Sequence, residues 1–244
     1  RILAIALPSI VSNITVPLLG LVDVAVTGHM GSDGVGTDSA LPASYYVGAI
    51  AVGGMLFNII YWMFGFLRMG TGGETAQAWG RRDLDGVVLL LVRNLLLALV
   101  LALVLMIASP LIRDVALWYI APEAEVASLA RTYFNICIWG AIPALGLFAM
   151  NGWYIGMQNS RFPMLVAIGQ NLLNIACSIF FVYALGMRIE GVALGTLLAQ
   201  WVAFAIALLL CLRYYRRLWK RKSFRIPSFL LLLRQDVTPG TASN

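Results

Sequence analysis

One carboxylate stands inside an apolar run. In "VPLLGLVDVAVTGHM" (16–30) the acid is Asp23, and the next one, Asp33, lies beyond the end of the run. An acid near the centre of a membrane span costs about 2.5–3.5 kcal/mol on insertion scales, so it is seldom there without a use. The functional reading is a carboxylate facing a water-filled cavity and binding a proton or a sodium ion. The structural alternatives are an acid paired with an Arg, or one close enough to the outer interface to be wetted. A second polar group lies in "GQNLLNIACSIFF" (169–181), where Asn171 and Asn174 are three residues apart and Ser178 follows a turn later. On a helix these share one face, and Gln170 extends the stripe. Asn13 and Thr15 add polarity to the Asp23 segment, and Asn58 does so in the next. Such a stripe with one acid fits a shared proton or cation site between helices. Plain interhelical hydrogen bonding, worth about 0.6 kcal/mol on average, is the alternative.

Other residues point away from covalent chemistry. His29 is the only histidine, and Cys137, Cys177 and Cys211 are far apart in apolar runs, so neither a zinc site nor a disulfide framework is expected. No nucleophile–base pair stands out, and the chain reads as a non-enzyme. "GTGG" (70–73) lacks the following Lys-Ser/Thr and the preceding strand of a phosphate loop. Arg68 and Arg93 lie toward span ends and read as snorkelling side chains. "GWYIG" (152–156) and the other Trp and Tyr near span ends read as an interfacial belt.

The elements that must position these groups are membrane helices. Of 244 residues 61% are hydrophobic and 11% charged, with a mean hydropathy of +0.86, against roughly 25% charged in a soluble domain. Six apolar stretches reach the roughly 20 residues that cross a bilayer as helix. They lie near 2–28, 44–70, 86–109, 126–155, 162–186 and 191–215. Lipid offers no partner to unpaired backbone groups, so helices are expected throughout. Charged or Gly- and Pro-rich links separate them: "GSDGVGTDSALPAS", "GRRDLDG", the partly amphipathic "SPLIRDVALWYIAPEAE" (109–125), "GMQNSRFP" and "GMRIEG". Pro8 and Pro17 fall in the first span, and Pro17 reads as a hinge beside Asp23.

Loop charge sets the orientation. Arg81 and Arg82, Arg161, and seven Lys and Arg at 213–225 lie on one side; Arg113 and Arg188 lie on the other with Asp33, Asp38, Asp114, Glu123, Glu125 and Glu190. The positive-inside rule then puts both termini in the cytoplasm. The net charge of +6 is a membrane-proximal tail rather than a nucleic-acid surface. No signal-peptide pattern opens the chain.

"ALPSIVSNITVPLLGLVDVAVTGHMG" (6–31), "VGAIAVGGMLFNIIYWMFGFLRMGTGGETAQAWGRRD" (47–83) and "NGWYIGMQNSRFPMLVAIGQNLLNIACSIFFVYALGMRIEGVALGTLLAQW" (151–201) resemble the multidrug and toxic compound extrusion (MATE) transporters, in particular their DinF branch. The resemblance implies an all-α integral membrane fold, a six-transmembrane-helix bundle forming one lobe of a twelve-helix transporter. It implies efflux of amphipathic, often cationic small molecules coupled to inward H+ or Na+, with no cofactor, in a bacterial plasma (inner) membrane. Asp23 matches the acid of the family's N-lobe cation site. Asn174 matches an Asn of the fifth helix, which the family commonly follows four residues later with an Asp; here that position is Ser178. The expected cation site is therefore Asp23, Asn174, Asn13, Ser178 and Asn171, with Asn58 and Gln170 lining the cargo cavity and Pro17 as hinge.

Residues 1–215 are expected to form this lobe and 216–244 a basic cytoplasmic linker with the truncated start of a second lobe, since "IPSFLLLL" gives way to "RQDVTPGTASN". Arg1 likewise reads as a truncation point. The second lobe would be missing from the chain, as in a truncated copy or a homodimer of halves. Two other functions compete. A lipid or lipid-linked-sugar flippase would need Arg68 or Arg93 in its cavity. A non-transporting remnant would tolerate Asp23→Leu.

Overall fold

Long apolar runs in lipid must pair their own backbone groups, and every long element among the described residues is a helix. The computed structural model describes Ala25, Gly28 and residues 41–215; the rest of the first span (2–28), the first link and the 216–244 segment lie outside that description. Among the described residues there are five candidate spans: Ala43–Gly80, Leu84–Ile120, Ala124–Gly156, Arg161–Ala184 and Ile189–Arg213.

The first of these is two helices, α1 (Ala43–Met63) and α2 (Gly65–Gly80), meeting at Phe64. There the Phe64 N–H turns to the Tyr61 carbonyl at 3.1 Å. Helix α3 (Leu84–Ile120) starts at Asp83, whose carboxylate accepts the Gly86 N–H at 2.8 Å, a side-chain cap of an otherwise orphan donor. The third span was expected to end near 109, with 109–125 as a link. Instead α3 runs on through Pro110 to Ile120. Proline brings no N–H to the Met106 carbonyl four residues back. The Ser109 hydroxyl donates to that carbonyl at 2.7 Å, so the helix continues and the link shrinks to residues 121–123.

Helix α4 (Ala124–Cys137) passes through a 3-10 turn (Ile138–Gly140) into α5 (Ala141–Gly156). Helix α6 (Arg161–Ile179) ends in a π turn (Phe180–Ala184), and Gly186, at φ +65°, reverses the chain into α7 (Ile189–Tyr214). Only a residue without Cβ enters that backbone region freely.

Small residues set how closely the helices pack. A Cβ on Gly152 of α5 would meet the Arg68 carbonyl of α2, and one on Gly156 the Gly72 carbonyl. On α7, Gly191, Gly195, Ala199, Ala203, Ala207 and Cys211 recur every fourth position, and all are buried. The belt reading of "GWYIG" is overturned. Trp153 and Tyr154 have no exposed surface, because backbone carbonyls inside the bundle satisfy their polar atoms. The Trp153 indole N–H donates to the Val87 carbonyl at 2.8 Å and the Tyr154 hydroxyl to the Ala207 carbonyl at 2.7 Å. Exposed aromatics near span ends include Trp62, Trp118 and Tyr119.

Candidate functional site

Helix α6 carries the polar stripe, and α7 covers part of it. Asn174 is 3% exposed and Ser178 fully buried. The Ser178 hydroxyl donates to Asn174 Oδ1 at 3.3 Å, and Asn174 Nδ2 donates to Thr196 Oγ1 at 3.1 Å. The Thr196 hydroxyl passes the chain to the Val192 carbonyl at 3.1 Å. Both ends of the Asn174 amide are thus engaged, which orients it. The chain fits because α7 offers a glycine opposite: a Cβ on Gly195 would stand 2.6 Å from Ser178 Oγ. Gln170 and Asn171 lie a turn earlier on α6, both half-buried.

The structure therefore brings Asn174 and Ser178 together. Asn58 stands apart on α1 with an exposed side chain. Asp23, Asn13 and Pro17 lie outside the described residues. Thr196 was not foreseen. Its signal is the "GVALGT" run (191–196), where Gly191 and Gly195 let the α6–α7 pair close up and the next residue can hydrogen-bond across.

Other buried polar groups accompany this one. Thr71 donates to its own helix at the Leu67 carbonyl, 2.6 Å away. The Tyr61 hydroxyl, Thr75 hydroxyl, Asn94 Nδ2 and Asn151 Oδ1 are buried without a hydrogen-bond partner among the described residues. A buried polar atom left so is unfavourable by a few kcal/mol. Arg68 is exposed and Arg93 half-buried. No group of three His, Cys, Asp or Glu side chains comes together among the described residues.

At the other end, Arg131 joins Arg113. It lies in α4, and its guanidinium is 3.3 Å from Asp114, which also pairs with Arg113 at 3.0 Å. Arg131 falls inside the stretch expected as a span near 126–155, and it adds a third cation beside Arg113 and Arg188.

A profile of the MatE family matches residues 8–180. The chain is 38% identical over 207 residues to DNA damage-inducible protein F of Escherichia coli (strain K12), covering 84% of this chain and 42% of that protein. It is 27% identical over 238 residues to multidrug and toxin extrusion protein 2 of Mus musculus, covering 92% and 38%. Among solved structures, a MATE crystal structure in the bent conformation superposes with a TM-score of 0.75 at 24% identity, over 88% of this chain and 45% of that one. A MOP superfamily transporter from Pyrococcus furiosus does so with a TM-score of 0.74 at 22% identity, over 87% and 44%. The chain thus spans a little under half the length of these relatives, and its fold is one lobe of theirs. It is an all-α integral membrane protein, and it belongs to the MatE family.

Proposed function

We propose that this chain is the N-terminal lobe of a secondary active efflux antiporter, exporting amphipathic cationic small molecules against an inward flow of H+ or Na+. The observation that carries the reading is the buried Ser178–Asn174–Thr196 chain, a polar seam inside an apolar MatE-family lobe. An amide oxygen has two acceptor sites. Ser178 uses one on Asn174 Oδ1, leaving one for a sodium ion or for protonated Asp23. Asp23 is the charged member of the site, and Asn13 and Asn171 complete its polar shell. Ion binding neutralises Asp23, the first span bends near Pro17, and the cavity wall formed with Asn58 and Gln170 changes shape to release cargo outward. Both termini face the cytoplasm of a bacterial inner membrane. With Arg131 the opposite side carries three Lys or Arg, Arg113, Arg131 and Arg188, still far fewer than Arg81, Arg82, Arg161 and the seven at 213–225 on the cytoplasmic side, so the charge bias of the loops keeps its sign. The segment 216–244 links this lobe to the second, supplied by continuation of the chain or by another copy.

The intact mass of the protein extracted from its native membrane identifies the product to assay, near twice this length or 26.6 kDa. In proteoliposomes carrying that product, a proton or sodium gradient is expected to drive transport of a fluorescent lipophilic cation. Asp23→Asn is expected to insert normally and lose the coupling. Gradient-driven transport that survives Asp23→Asn refutes the reading.

A further inference from the structure

Two backbone irregularities face each other near the Arg113 end of the bundle. Pro110 lies in α3, and the 3-10 turn at Ile138–Gly140 interrupts the span that continues α4. Between them is an open groove of about 520 Å³, walled by Met106, Ile107, Ile138 and Trp139, with Ser109 and Asn135 on its lining. Ile107 is 82% and Trp139 59% exposed. Helix α3 has the least protein cover of the candidate spans, 17% of its apolar window being buried against 72% for Ala124–Gly156. The groove therefore opens toward hydrocarbon.

Its rim is cationic. Asn135, which lines the groove, accepts a hydrogen bond from the Arg113 guanidinium at 2.5 Å. Arg113 and Arg131 share one carboxylate, that of Asp114, and Glu123 is engaged by the Tyr45 hydroxyl. The Arg131 side chain is half exposed, with donors to spare. A guanidinium fork suits phosphate oxygens. The α3 helix, 37 residues long, extends about 55 Å at 1.5 Å per residue, well beyond a hydrocarbon core of about 30 Å. Its far end, with Arg113, thus reaches headgroup level while Met106 and Ile107 stay below.

We propose that this groove holds one acyl chain of an anionic phospholipid, with its phosphate against Arg131 and Arg113. An aliphatic trough running into a rim with one guanidinium in excess complements a negatively charged amphiphile. The inference does not depend on the transport reading, since its residues lie outside the proposed ion and cargo sites.

The test reconstitutes the 244-residue chain in phosphatidylcholine vesicles containing chain-brominated phosphatidylglycerol or chain-brominated phosphatidylcholine. The contribution of Trp139 is isolated as wild type minus Trp139→Phe. Brominated phosphatidylglycerol is expected to quench Trp139 at a several-fold lower mole fraction than the zwitterionic lipid. Arg113→Gln with Arg131→Gln is expected to abolish that preference, and Arg131→Lys to keep it. Asp114→Asn, which removes the carboxylate both guanidiniums share, is expected to widen it about five-fold, the effect of one unit charge near an anionic surface. That gain is a signal misfolding does not produce. Equal quenching by both lipids, quenching by neither, or a preference that survives the double substitution overturns the proposal. These outcomes mean annular lipid only, a groove covered by protein, and selectivity set elsewhere.

Discussion

Replacing Gly152 by alanine isolates the close approach of α2 and α5. The added Cβ would lie 2.4 Å from the Arg68 carbonyl oxygen, 3.1 Å from the Gly72 nitrogen and 3.1 Å from the Thr71 Cβ. Even weak C–H···O contacts keep carbon and oxygen about 3.3 Å apart, so the helices must separate by about 0.9 Å locally. Two of these three neighbours are backbone, which does not swing aside as a side chain does. Overpacking of this kind is destabilising by about 1–3 kcal/mol, and the backbone neighbours put this case in the upper half. Gly→Ala in a helix also gains about 1 kcal/mol of propensity, which would mask part of the effect. Gly73→Ala measures that gain alone, because a Cβ there meets nothing within 4 Å. The informative quantity is the difference in unfolding free energy between the two variants in mixed detergent micelles. We expect Gly152→Ala to be less stable than Gly73→Ala by about 2–3 kcal/mol. A difference below about 0.5 kcal/mol, the usual limit for surface changes, would mean that α2 and α5 are not held in this contact.

Ser109→Ala strands the Met106 carbonyl and is expected to be destabilising by about 0.6–1.7 kcal/mol; Ser109→Ala with Pro110→Ala restores an N–H to it and should recover the loss in the same unfolding assay. Trp153→Phe and Tyr154→Phe each remove a buried bond to a backbone carbonyl and should lower unfolding free energy by about 0.5–1.5 kcal/mol apiece, whereas Trp118→Phe, in the exposed belt, should leave it unchanged. Thr196→Val removes the acceptor of the Asn174 amide and is expected to reduce gradient-driven transport in proteoliposomes while Thr196→Ser retains it; equal activity of the two would detach Thr196 from the site.

The helices were legible because lipid imposes length and apolarity, and long runs announce both. Their rotation was harder to read. On α7 the core face and the lipid face are both apolar, so polarity has no period there. What repeats is size: Gly191, Gly195, Ala199, Ala203, Ala207 and Cys211, four apart and buried. The same physics hid Trp153 and Tyr154, since an aromatic with one polar atom suits a headgroup belt or a core position facing a carbonyl equally well. Only the flanking Gly152 and Gly156, which admit α2 at backbone distance, distinguish the two. The continuation of α3 past Pro110 turned on a single hydroxyl. In the site, the α6 stripe announced Asn174 and Ser178 by spacing, while Thr196 is a lone hydroxyl in a 26-residue helix, and its role depends on the register between α6 and α7. Asn58 shows the converse limit: one polar residue in a span does not say which face it occupies.

Ser178 ties packing to chemistry. By the family resemblance it takes the position of a second acid, and a packed hydroxyl fills that position. Its side chain has no exposed surface, and Gly195 opposite is close enough that a Cβ there would fall within 2.6 Å of the serine oxygen. A carboxylate at 178 carries two more heavy atoms and a charge needing water or a cation. It would have to push α7 away or turn out of the seam. The α6–α7 contact is therefore built around a hydroxyl, and Asn174, held at both ends by Ser178 and Thr196, is a neutral and preoriented amide. On the transport reading this leaves Asp23 to carry the ionic charge of the site alone. The neutral seam fixes the geometry in which that charge is met, because an amide held by two hydroxyls does not reorient when the ion leaves.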